Sequence, residues 1–282
     1  MRRQSKPNAM IGPIGIFDSG YGGLTILREI RKRLPEYDYL YLGDNARAPY
    51  GSRSFDVIYD FTLQAVKYLF NRGCSLVILA CNTASAKALR TIQQRDLPKI
   101  DPSRRVLGVI IPTVEALGGL TQTNHIGVVG TPGTVASRSY TIETAKLYPE
   151  IKVTEVACPM WVPLIENGEA FGPGADYFVE KYCRQLMGCD PEIDTLLLGC
   201  THYPLLTEKI RKVIPENVAI IPQGRLVADS LADYLKRHPE IAERCTREGS
   251  TKFLTTENTE KFDRIAPLFL NHPVAAERIH LD

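Results

Sequence analysis

Two of the chain's seven cysteines stand in matching sequence contexts. Cys81 follows the apolar run Leu76–Ala80, and Cys200 follows the run Leu196–Gly199. In both places a small polar residue and a predicted helix come next, so each cysteine is expected at the carboxyl end of a buried strand. One such cysteine is as consistent with a small buried residue as with a reactive thiol. The repeated context favours a functional pair.

The predicted position of both cysteines favours a thiolate. Ligands of open α/β sheets bind at the carboxyl ends of the strands. A helix N-terminus offers free N–H groups and the positive end of the helix dipole, which lower the pKa of a thiol from about 8.5 towards neutrality. Thr83 and Thr201 add hydroxyl donors close in sequence to the two sulfur atoms. We therefore expect lowered pKa values for Cys81 and Cys200.

The wide separation of the two cysteines in the sequence makes several common roles of cysteine less suitable. A nucleophilic cysteine requires one thiol with a base and an oxyanion hole, a redox pair is usually Cys-x-x-Cys, and zinc takes about four ligands in local pairs. Two separated thiols suit a reaction in which one removes a proton from a stereocentre and the other delivers a proton to the opposite face. No metal or other cofactor is predicted. The cysteines interpreted as structural are Cys74, Cys158, Cys183, Cys189 and Cys245.

Polar residues after other predicted strands are candidate proton partners and substrate ligands. Asp18 follows a buried strand, and a functional role is favoured over a turn or N-cap aspartate. His202 lies two residues after Cys200, which favours proton transfer over a helix-start histidine satisfied by the backbone. Ser19 and Tyr50-Gly51 are weaker candidates for substrate contact, because Tyr50-Gly51 also fits a simple turn.

The elements that must hold these side chains alternate between short apolar runs and longer periodic segments. Buried parallel strands appear as continuous Ile-, Val- and Leu-rich runs, and helices as apolar residues at helical spacing. Helices are predicted over Gly22–Arg33 and Ser54–Phe70. This alternation predicts an α/β protein with open parallel sheets. The predicted strands are Ile14–Phe17, Tyr37–Leu42, Leu76–Ala80, Val106–Ile111, His125–Val129, Val153–Ala157, Thr195–Leu198 and Val218–Ile221.

Breaks near Gly108–Gly119 and Pro215–Gly224 indicate two crossings between lobes. The first lobe is predicted to comprise residues 11–108 and to be completed by residues 218–282, where the tail adds a strand, a helix and a strand. The second lobe is predicted to comprise residues 109–217. Because the two cysteine segments repeat each other, we expect two open parallel-sheet lobes related by pseudo-symmetry, with the active site in the cleft between them.

The bulk composition bounds the class of protein and its partners. The chain is 44% hydrophobic and 23% charged, the balance of a soluble globular protein. A formal net charge of +2 and a pI of about 8.1 indicate no nucleic-acid or membrane partner. The number of cysteines is odd and they are scattered along the chain, which is typical of reduced thiols in a cytoplasm. Residues 1–10 are interpreted as a loose leader, with Met10 as an alternative start.

These residues together carry a resemblance that extends over nearly everything from Ile14 to Leu281. The chain resembles glutamate racemase, of the cofactor-independent aspartate/glutamate racemase group. Each matching stretch alone is weakly specific, whereas the set is highly specific. The stretches are Gly15–Gly20 with Gly22-Gly23, Gly43-Asp44 followed by Pro49–Gly51, Ala80–Ala84, and Gly199–Pro204.

The resemblance implies direct interconversion of L- and D-glutamate without pyridoxal phosphate or metal, supplying D-glutamate for bacterial peptidoglycan. It also implies a homodimer, and two lobes that close over the substrate. It makes Cys81 and Cys200 the catalytic thiols, with Cys81 serving the D-enantiomer and Cys200 the L-enantiomer.

Further roles are implied by the same resemblance. Asp18 would assist Cys81, and His202 would assist Cys200. Glu166 would be a third assisting acid, although Glu-Asn-Gly is also ordinary helix-end composition. The implied substrate ligands are Asp18, Ser19, Tyr50, Gly51, Asn82, Thr83, Thr131, Thr201 and His202, with Thr134 as a further candidate.

The sequence departs from the family pattern in one segment and is compatible with several other functions. The family often carries Asp-Ser-Gly where this chain has Pro222-Gln223-Gly224, so no polar role is transferred to that segment. Aspartate racemase, or a related isomerase with two cysteines, would differ in pocket length. A pyridoxal-phosphate racemase needs a Schiff-base lysine and a phosphate cradle, for which no convincing set is found. A non-catalytic binding or regulatory protein on this fold would carry idle cysteines.

Overall fold

The computed structural model describes residues 11–281, so the predicted leader and the alternative start at Met10 lie outside the described residues. The described chain forms one parallel sheet of six strands and one of four, with helices between the strands. The predicted α/β class with two parallel-sheet lobes is confirmed. Within residues 11–281, no helix is long and apolar enough to span a membrane.

The elements are numbered in chain order. The strands are β1 (Ile14–Asp18), β2 (Tyr39–Gly43), β3 (Leu76–Leu79), β4 (Arg105–Gly108), β5 (His125–Gly130), β6 (Lys152–Ala157), β7 (Thr195–Gly199), β8 (Ala219–Pro222), β9 (Thr251–Thr255) and β10 (Ala276–Arg278). The α-helices are α1 (Gly23–Arg33), α2 (Phe55–Asn71), α3 (Asn82–Lys87), α4 (Leu89–Thr91), α5 (Leu97–Ile100), α6 (Ile110–Leu117), α7 (Pro132–Ser137), α8 (Ser139–Leu147), α9 (Trp161–Glu166), α10 (Pro173–Cys189), α11 (Thr207–Arg211), α12 (Gly224–Arg237), α13 (Pro239–Ala242), α14 (Thr259–Ile265) and α15 (Pro267–Leu270). A π-helical turn joins α4 to α5 over Ile92–Asp96, and 3₁₀ helices cover Asn45–Arg47 and Tyr203–Leu206.

The first sheet has the strand order β10-β9-β2-β1-β3-β4. The central strand β1 pairs in parallel with β2 and β3. Every residue of these three strands is buried, as expected when helices cover both faces of a parallel sheet. Because parallel strands end at the same edge, Asp18 at the end of β1 lies beside the segment that follows β3.

The second sheet has the order β6-β5-β7-β8, which repeats the order β2-β1-β3-β4 of the first. The strands β3 and β7 therefore occupy equivalent positions in their sheets. Cys81 comes shortly after β3, and Cys200 directly follows β7. The repeated sequence context of the two cysteines thus reflects a repeated topology.

Most predicted ends lie within one or two residues of the observed ones, but two boundaries differ by more. The strand β8 belongs to the second sheet, because Thr195 to Leu198 align with Ala219 to Pro222 in parallel. The chain therefore returns to the first lobe through α12, which packs along α1, and the crossing predicted at residue 218 is one strand too early. The run Val106–Ile111 is also split, since β4 ends at Gly108 and α6 begins at Ile110. Pro112 in the first turn of α6 suits a helix start, where no N–H is required.

The C-terminal tail packs beneath the loop that follows β1. Phe262 and Phe269 are fully buried. The ring of Tyr21, in that loop, lies 5.4 Å from the Phe262 ring and 6.2 Å from the Phe269 ring. The ring of Tyr41, on β2, lies 6.3 Å from Phe262. The tail therefore supports the residues that follow Asp18.

Replacing Phe262 by Ala should lower the free energy of unfolding by about 3–5 kcal/mol, because the change leaves a cavity in this core. Urea unfolding followed by far-UV circular dichroism would measure the loss. Leu268→Ala is the control, since Leu268 is 46% exposed in the same tail, and it should change the free energy by about 0.5 kcal/mol or less. Equal losses for the two variants would contradict the proposed support.

Candidate active site

The two lobes enclose a cavity of about 110 Å³ that both Cys81 and Cys200 line. A larger cavity of about 620 Å³ is lined by Cys200 but not by Cys81. The smaller cavity is the candidate active site because it joins the two thiols. Its walls include every predicted catalytic or substrate-binding residue except Thr134, namely Asp18, Ser19, Tyr50, Gly51, Cys81, Asn82, Thr83, Thr131, Glu166, Cys200, Thr201 and His202.

Cys81 is the N-cap residue of α3, where its sulfur accepts a hydrogen bond from the Ala84 N–H at 3.4 Å. The Ser19 hydroxyl lies 3.3 Å from the same sulfur. Burial, and then the neighbouring Asp18 carboxylate, raise the pKa of the Cys81 thiol to about 12. The predicted lowering is therefore wrong for Cys81, because burial outweighs the helix N-terminus. At neutral pH Cys81 is a thiol that can donate a proton.

Asp18 is buried at the end of β1 and lines the cavity beside Cys81. Its Oδ2 atom accepts a hydrogen bond from the Gly20 N–H at 2.9 Å. Its Oδ1 atom is buried and has no hydrogen-bond partner within residues 11–281. Burial raises the pKa of Asp18, and the charge on His202 opposes this shift. A buried carboxyl group with a raised pKa and an unpaired oxygen is suited to hold a proton and pass it to a neighbouring group.

Glycines let the loop after β1 approach the second lobe closely. A Cβ atom at Gly22 would lie 2.3 Å from His202 Nδ1 and 2.4 Å from Thr201 Oγ1. A Cβ atom at Gly23 would lie 2.5 Å from the Cβ atom of Asp18. A larger residue at Gly22 would displace His202 and Thr201, and a larger residue at Gly23 would displace Asp18.

Cys200, His202 and Glu166 form a second proton-handling group, on the second lobe. The sulfur of Cys200 lies 3.8 Å from His202 Nδ1, and His202 Nε2 lies 2.9 Å from Glu166 Oε1. Burial by itself lowers the pKa of His202, but its hydrogen bonds to Cys200 and Glu166 and their charges raise it well above the usual value. The ring is therefore an imidazolium at neutral pH, a donor at both nitrogens.

Three threonine hydroxyls join the lobes at the cavity wall. Thr83 Oγ1 lies 2.9 Å from Thr131 Oγ1 and 3.4 Å from Thr134 Oγ1, which are 3.1 Å from each other. The Gly133 N–H donates to the Gly51 carbonyl at 2.7 Å, again between the lobes. Thr134 thus supports the two hydroxyls that line the cavity. Rotatable hydroxyls held side by side are suitable donors for a carboxylate.

Tyr50 lines the cavity, but its hydroxyl donates to the Oδ2 atom of Asp44. Asp44 also accepts hydrogen bonds from Arg47 Nε at 2.7 Å and from the Thr256 hydroxyl at 2.9 Å. The Tyr50 hydroxyl therefore donates its proton to Asp44. The Tyr50 ring and the backbone of Tyr50 and Gly51 remain available for contact with a substrate. The sequence prediction omits Asp44 as a site residue, although it stands in the matching Gly43-Asp44 stretch.

The side chain of Asn82 joins a buried network with Tyr140 and Gln223. The Tyr140 hydroxyl donates to Asn82 Oδ1, and Asn82 Nδ2 donates to Gln223 Oε1, both at 2.6 Å. Neither Tyr140 nor Gln223 is identified as a site residue from the sequence. The usable signal for Gln223 is its place directly after β8, at the sheet edge where functional residues gather.

Of the cysteines interpreted as structural, Cys158 lines the cavity. Burial raises its pKa well above the usual value, and its thiol donates to the Val156 carbonyl at 3.8 Å. It is therefore held as a neutral thiol. Within residues 11–281, no cluster of three or more His, Cys, Asp or Glu side chains could hold a metal ion.

The chain is similar to known proteins over most of its length. The family model described as Asp/Glu/Hydantoin racemase matches residues 24–231. A curated glutamate racemase from Ruegeria sp. is 41% identical over 274 residues, covering 94% of this chain and 98% of its own. The crystal structure of a Bacillus anthracis glutamate racemase isoform has a TM-score of 0.87 at 34% identity, covering 96% of this chain and 98% of its own. A Francisella tularensis glutamate racemase in complex with D-glutamate has a TM-score of 0.84 at 33% identity, with the same coverage.

Replacing Glu166 by Gln should lower the pKa of His202, because the carboxylate that holds the imidazolium is lost. Two-dimensional NMR of the histidine ring protons, assigned with a His202→Asn variant, would follow the titration. Glu169→Gln is the matched control, since Glu169 is exposed on the same segment and should leave the titration unchanged. An unchanged His202 midpoint in Glu166→Gln would contradict the assigned role of Glu166.

The raised pKa of His202 also determines how the stability of the folded protein changes with pH. His202 has a raised pKa in the folded protein, so its stabilising contribution is complete below the unfolded pKa of about 6.5 and is lost as pH rises through the folded value. Glu166→Gln should therefore lose this contribution at a lower pH than the wild type does.

Proposed function

The chain belongs to the Asp/Glu/Hydantoin racemase family, and on that premise we propose that it interconverts L- and D-glutamate by moving the α-proton between two thiols. The observation that carries this mechanism is that Cys81 and Cys200 line one cavity from opposite lobes. Each thiol has its own polar partner, Ser19 for Cys81 and His202 for Cys200. The glutamate racemases among its relatives support glutamate as the substrate.

The resting protonation states decide which enantiomer the site deprotonates first. Cys81 is a thiol, because its pKa is raised to about 12. The imidazolium of His202 lies 3.8 Å from the sulfur of Cys200 and is placed to donate to a thiolate formed there. With L-glutamate bound, the Cys200 thiolate removes the α-proton, and the Cys81 thiol donates its proton to the opposite face. The products are D-glutamate, a Cys200 thiol and a Cys81 thiolate.

The reverse reaction begins from the other pair of states. The Cys81 thiolate removes the α-proton of D-glutamate, and the Cys200 thiol donates a proton to form L-glutamate. Between turnovers the two sulfur atoms must exchange their protonation states. Asp18, whose charge acts on Cys81, and His202, which contacts Cys200, are the groups through which these protons leave and return.

Negative charge develops on the substrate as the α-proton leaves, and donors held in place before the reaction stabilise it best. The hydroxyls of Thr83 and Thr131 are held 2.9 Å apart at the wall. Thr201 also lines the cavity, and its backbone is held by the Thr25 hydroxyl at 2.9 Å. These groups are the proposed ligands of the substrate carboxylates.

The biological setting belongs to the same proposal. D-Glutamate made by this reaction would supply peptidoglycan synthesis, and the protein would act in the cytoplasm as a homodimer. These expectations come from the resemblance and are separate from the chemistry of the cavity.

Removing either catalytic thiol should stop turnover. Cys81→Ala and Cys200→Ala should each lower kcat by about 10²–10⁴-fold, the contribution of a general acid or base. Optical rotation of L- and D-glutamate would be followed with a chelator present and pyridoxal phosphate omitted. Cys189→Ala, at an exposed cysteine, should keep full activity. Near wild-type rates in either active-site variant would exclude the two-thiol mechanism.

The same assay distinguishes the rival functions. Faster turnover of aspartate than of glutamate would make the chain an aspartate racemase with the same thiols. No turnover of either amino acid by the wild type would favour a binding protein.

Deuterated water tests whether two separate bases act. If one thiol removes the α-proton and the other donates a solvent-derived proton, the product enantiomer should gain α-deuterium before the remaining substrate does. Proton NMR at the α-position, combined with chiral separation, would measure both pools early in the reaction. Equal labelling of substrate and product from the start would indicate a single shared base.

A further inference from the structure

Gln223 occupies the junction between β8 and α12 and is only 3% exposed. It is the N-cap residue of α12, yet its side chain makes no capping hydrogen bond within the described structure. The amide instead contacts Asn82, Tyr140 and Thr113, which belong to α3, α8 and α6. A buried amide directed away from its own helix indicates a role at these partners.

Asn82, Tyr140 and Gln223 form a closed ring of hydrogen bonds. Asn82 Nδ2 donates to Gln223 Oε1, Gln223 Nε2 donates to the Tyr140 hydroxyl, and that hydroxyl donates to Asn82 Oδ1. Each of the three distances is 2.6 Å. All three residues are buried. The loss of any member destabilises such a ring, because the other two are left with unpaired buried groups.

The direction of every bond in this ring is fixed by one backbone carbonyl. The Thr113 hydroxyl donates its only proton to the Val109 carbonyl at 2.7 Å. Thr113 must therefore accept from Gln223, whose Nε2 lies 2.9 Å away. This places Gln223 Oε1 towards Asn82, so Asn82 must present its Nδ2 group there and its Oδ1 to the Tyr140 hydroxyl. No other choice of donors and acceptors for these hydroxyl and amide groups satisfies all of the contacts.

The ring touches the segments of both proposed catalytic thiols. Asn82 directly follows Cys81 and is the first residue of α3. Tyr140 packs on the other segment, since a Cβ atom at Gly199 would lie 3.3 Å from Tyr140 Cε2, and Gly199 directly precedes Cys200. The ring therefore connects the backbone beside one thiol to the backbone beside the other.

We propose that Gln223 is a positioning residue of the racemase site, which orients the Asn82 amide and thereby sets the start of α3, and with it Cys81, relative to the Cys200 strand. This role rests on the proposed function. Gln223 does not line the thiol cavity, so it acts through Asn82. It lies in the Pro222-Gln223-Gly224 segment, to which the resemblance transfers no polar role.

Replacing Gln223 by Leu keeps a side chain of similar size and removes every hydrogen bond of the amide. We expect kcat for glutamate to fall by about tenfold to a hundredfold, because small displacements of reacting groups cost this much. Tyr140→Phe, which removes the two ring bonds made by the Tyr140 hydroxyl, should lower kcat in the same way. In the double variant the two effects should be less than additive, because both break the same ring.

Matched controls separate positioning from stability. Gln93→Leu removes one hydrogen bond, from Gln93 Nε2 to the Val106 carbonyl at 2.7 Å. Tyr39→Phe removes a buried hydroxyl that donates to the Leu34 carbonyl at 2.6 Å. Neither control residue lines the thiol cavity, so both variants should keep kcat within about twofold, a small effect beside the loss expected from displaced reacting groups. Melting temperatures are recorded for all variants.

Gln223→Glu is the conservative variant and provides a pH readout. When protonated, the introduced carboxyl group offers one carbonyl acceptor towards Asn82 and one O–H donor, whereas its ionised form has no donor. Burial disfavours the ionised form. The kcat of this variant, divided by that of the wild type at each pH, should therefore rise as the pH is lowered from about 9 to about 6, since protonation restores a donor. Gln93→Glu should show no such trend.

The outcomes are distinct. If the wild type racemises glutamate and Gln223→Leu keeps kcat within about twofold, the positioning role is overturned and the proposed function stands. A kcat ratio for Gln223→Glu that falls as the pH is lowered would overturn it equally, because protonation would then remove activity instead of restoring it. If Gln223→Leu does not fold, Gln223→Glu and Tyr140→Phe decide the matter. No turnover by the wild type would overturn the positioning role together with the proposed function.

Discussion

Buried polar groups of one lobe form hydrogen bonds with buried polar groups of the other lobe. The geometry of the site depends on these bonds between the lobes. The Thr83 and Thr131 hydroxyls contact each other, and the Gly133 N–H reaches the carbonyl of Gly51. A buried polar group left unpaired costs roughly 1–3 kcal/mol. The lobes therefore have a preferred relative position, and that position sets how the two thiols face one cavity.

The two halves share a topology but not their chemistry. Both proposed catalytic cysteines follow the third strand of the order 2-1-3-4 in their sheets. Cys81 is surrounded by the Ser19 hydroxyl and the Asp18 carboxyl and is kept a thiol by its burial, whereas Cys200 has the imidazolium of His202 beside it. A reversible proton exchange requires one thiol and one thiolate at a time. In the proposed mechanism, the unequal partners of the two cysteines supply this difference.

The sequence was sufficient for much of the fold, because parallel strands buried on both faces leave continuous apolar runs. The prediction was wrong where one apolar run belongs to two elements. Ile110, for example, begins α6 and does not extend β4. The prediction also placed the return to the first lobe one strand early, since nothing in Val218–Ile221 states which sheet it joins. Hydrogen-bond pairing with β7 decided that.

At the site, residue types and spacing by themselves predicted Cys81, Cys200, Asp18 and His202 as a set, because each stands at or just after the carboxyl end of a strand. Only the tertiary structure decided their electrostatics and partners. The burial of Cys81 depends on the parts of the chain that cover it in the folded protein. Its raised pKa therefore cannot be predicted from the neighbouring sequence, which favours a lowered pKa. The hydrogen bonds that join distant segments, such as Gln223 to Asn82, exist only when both lobes are in place.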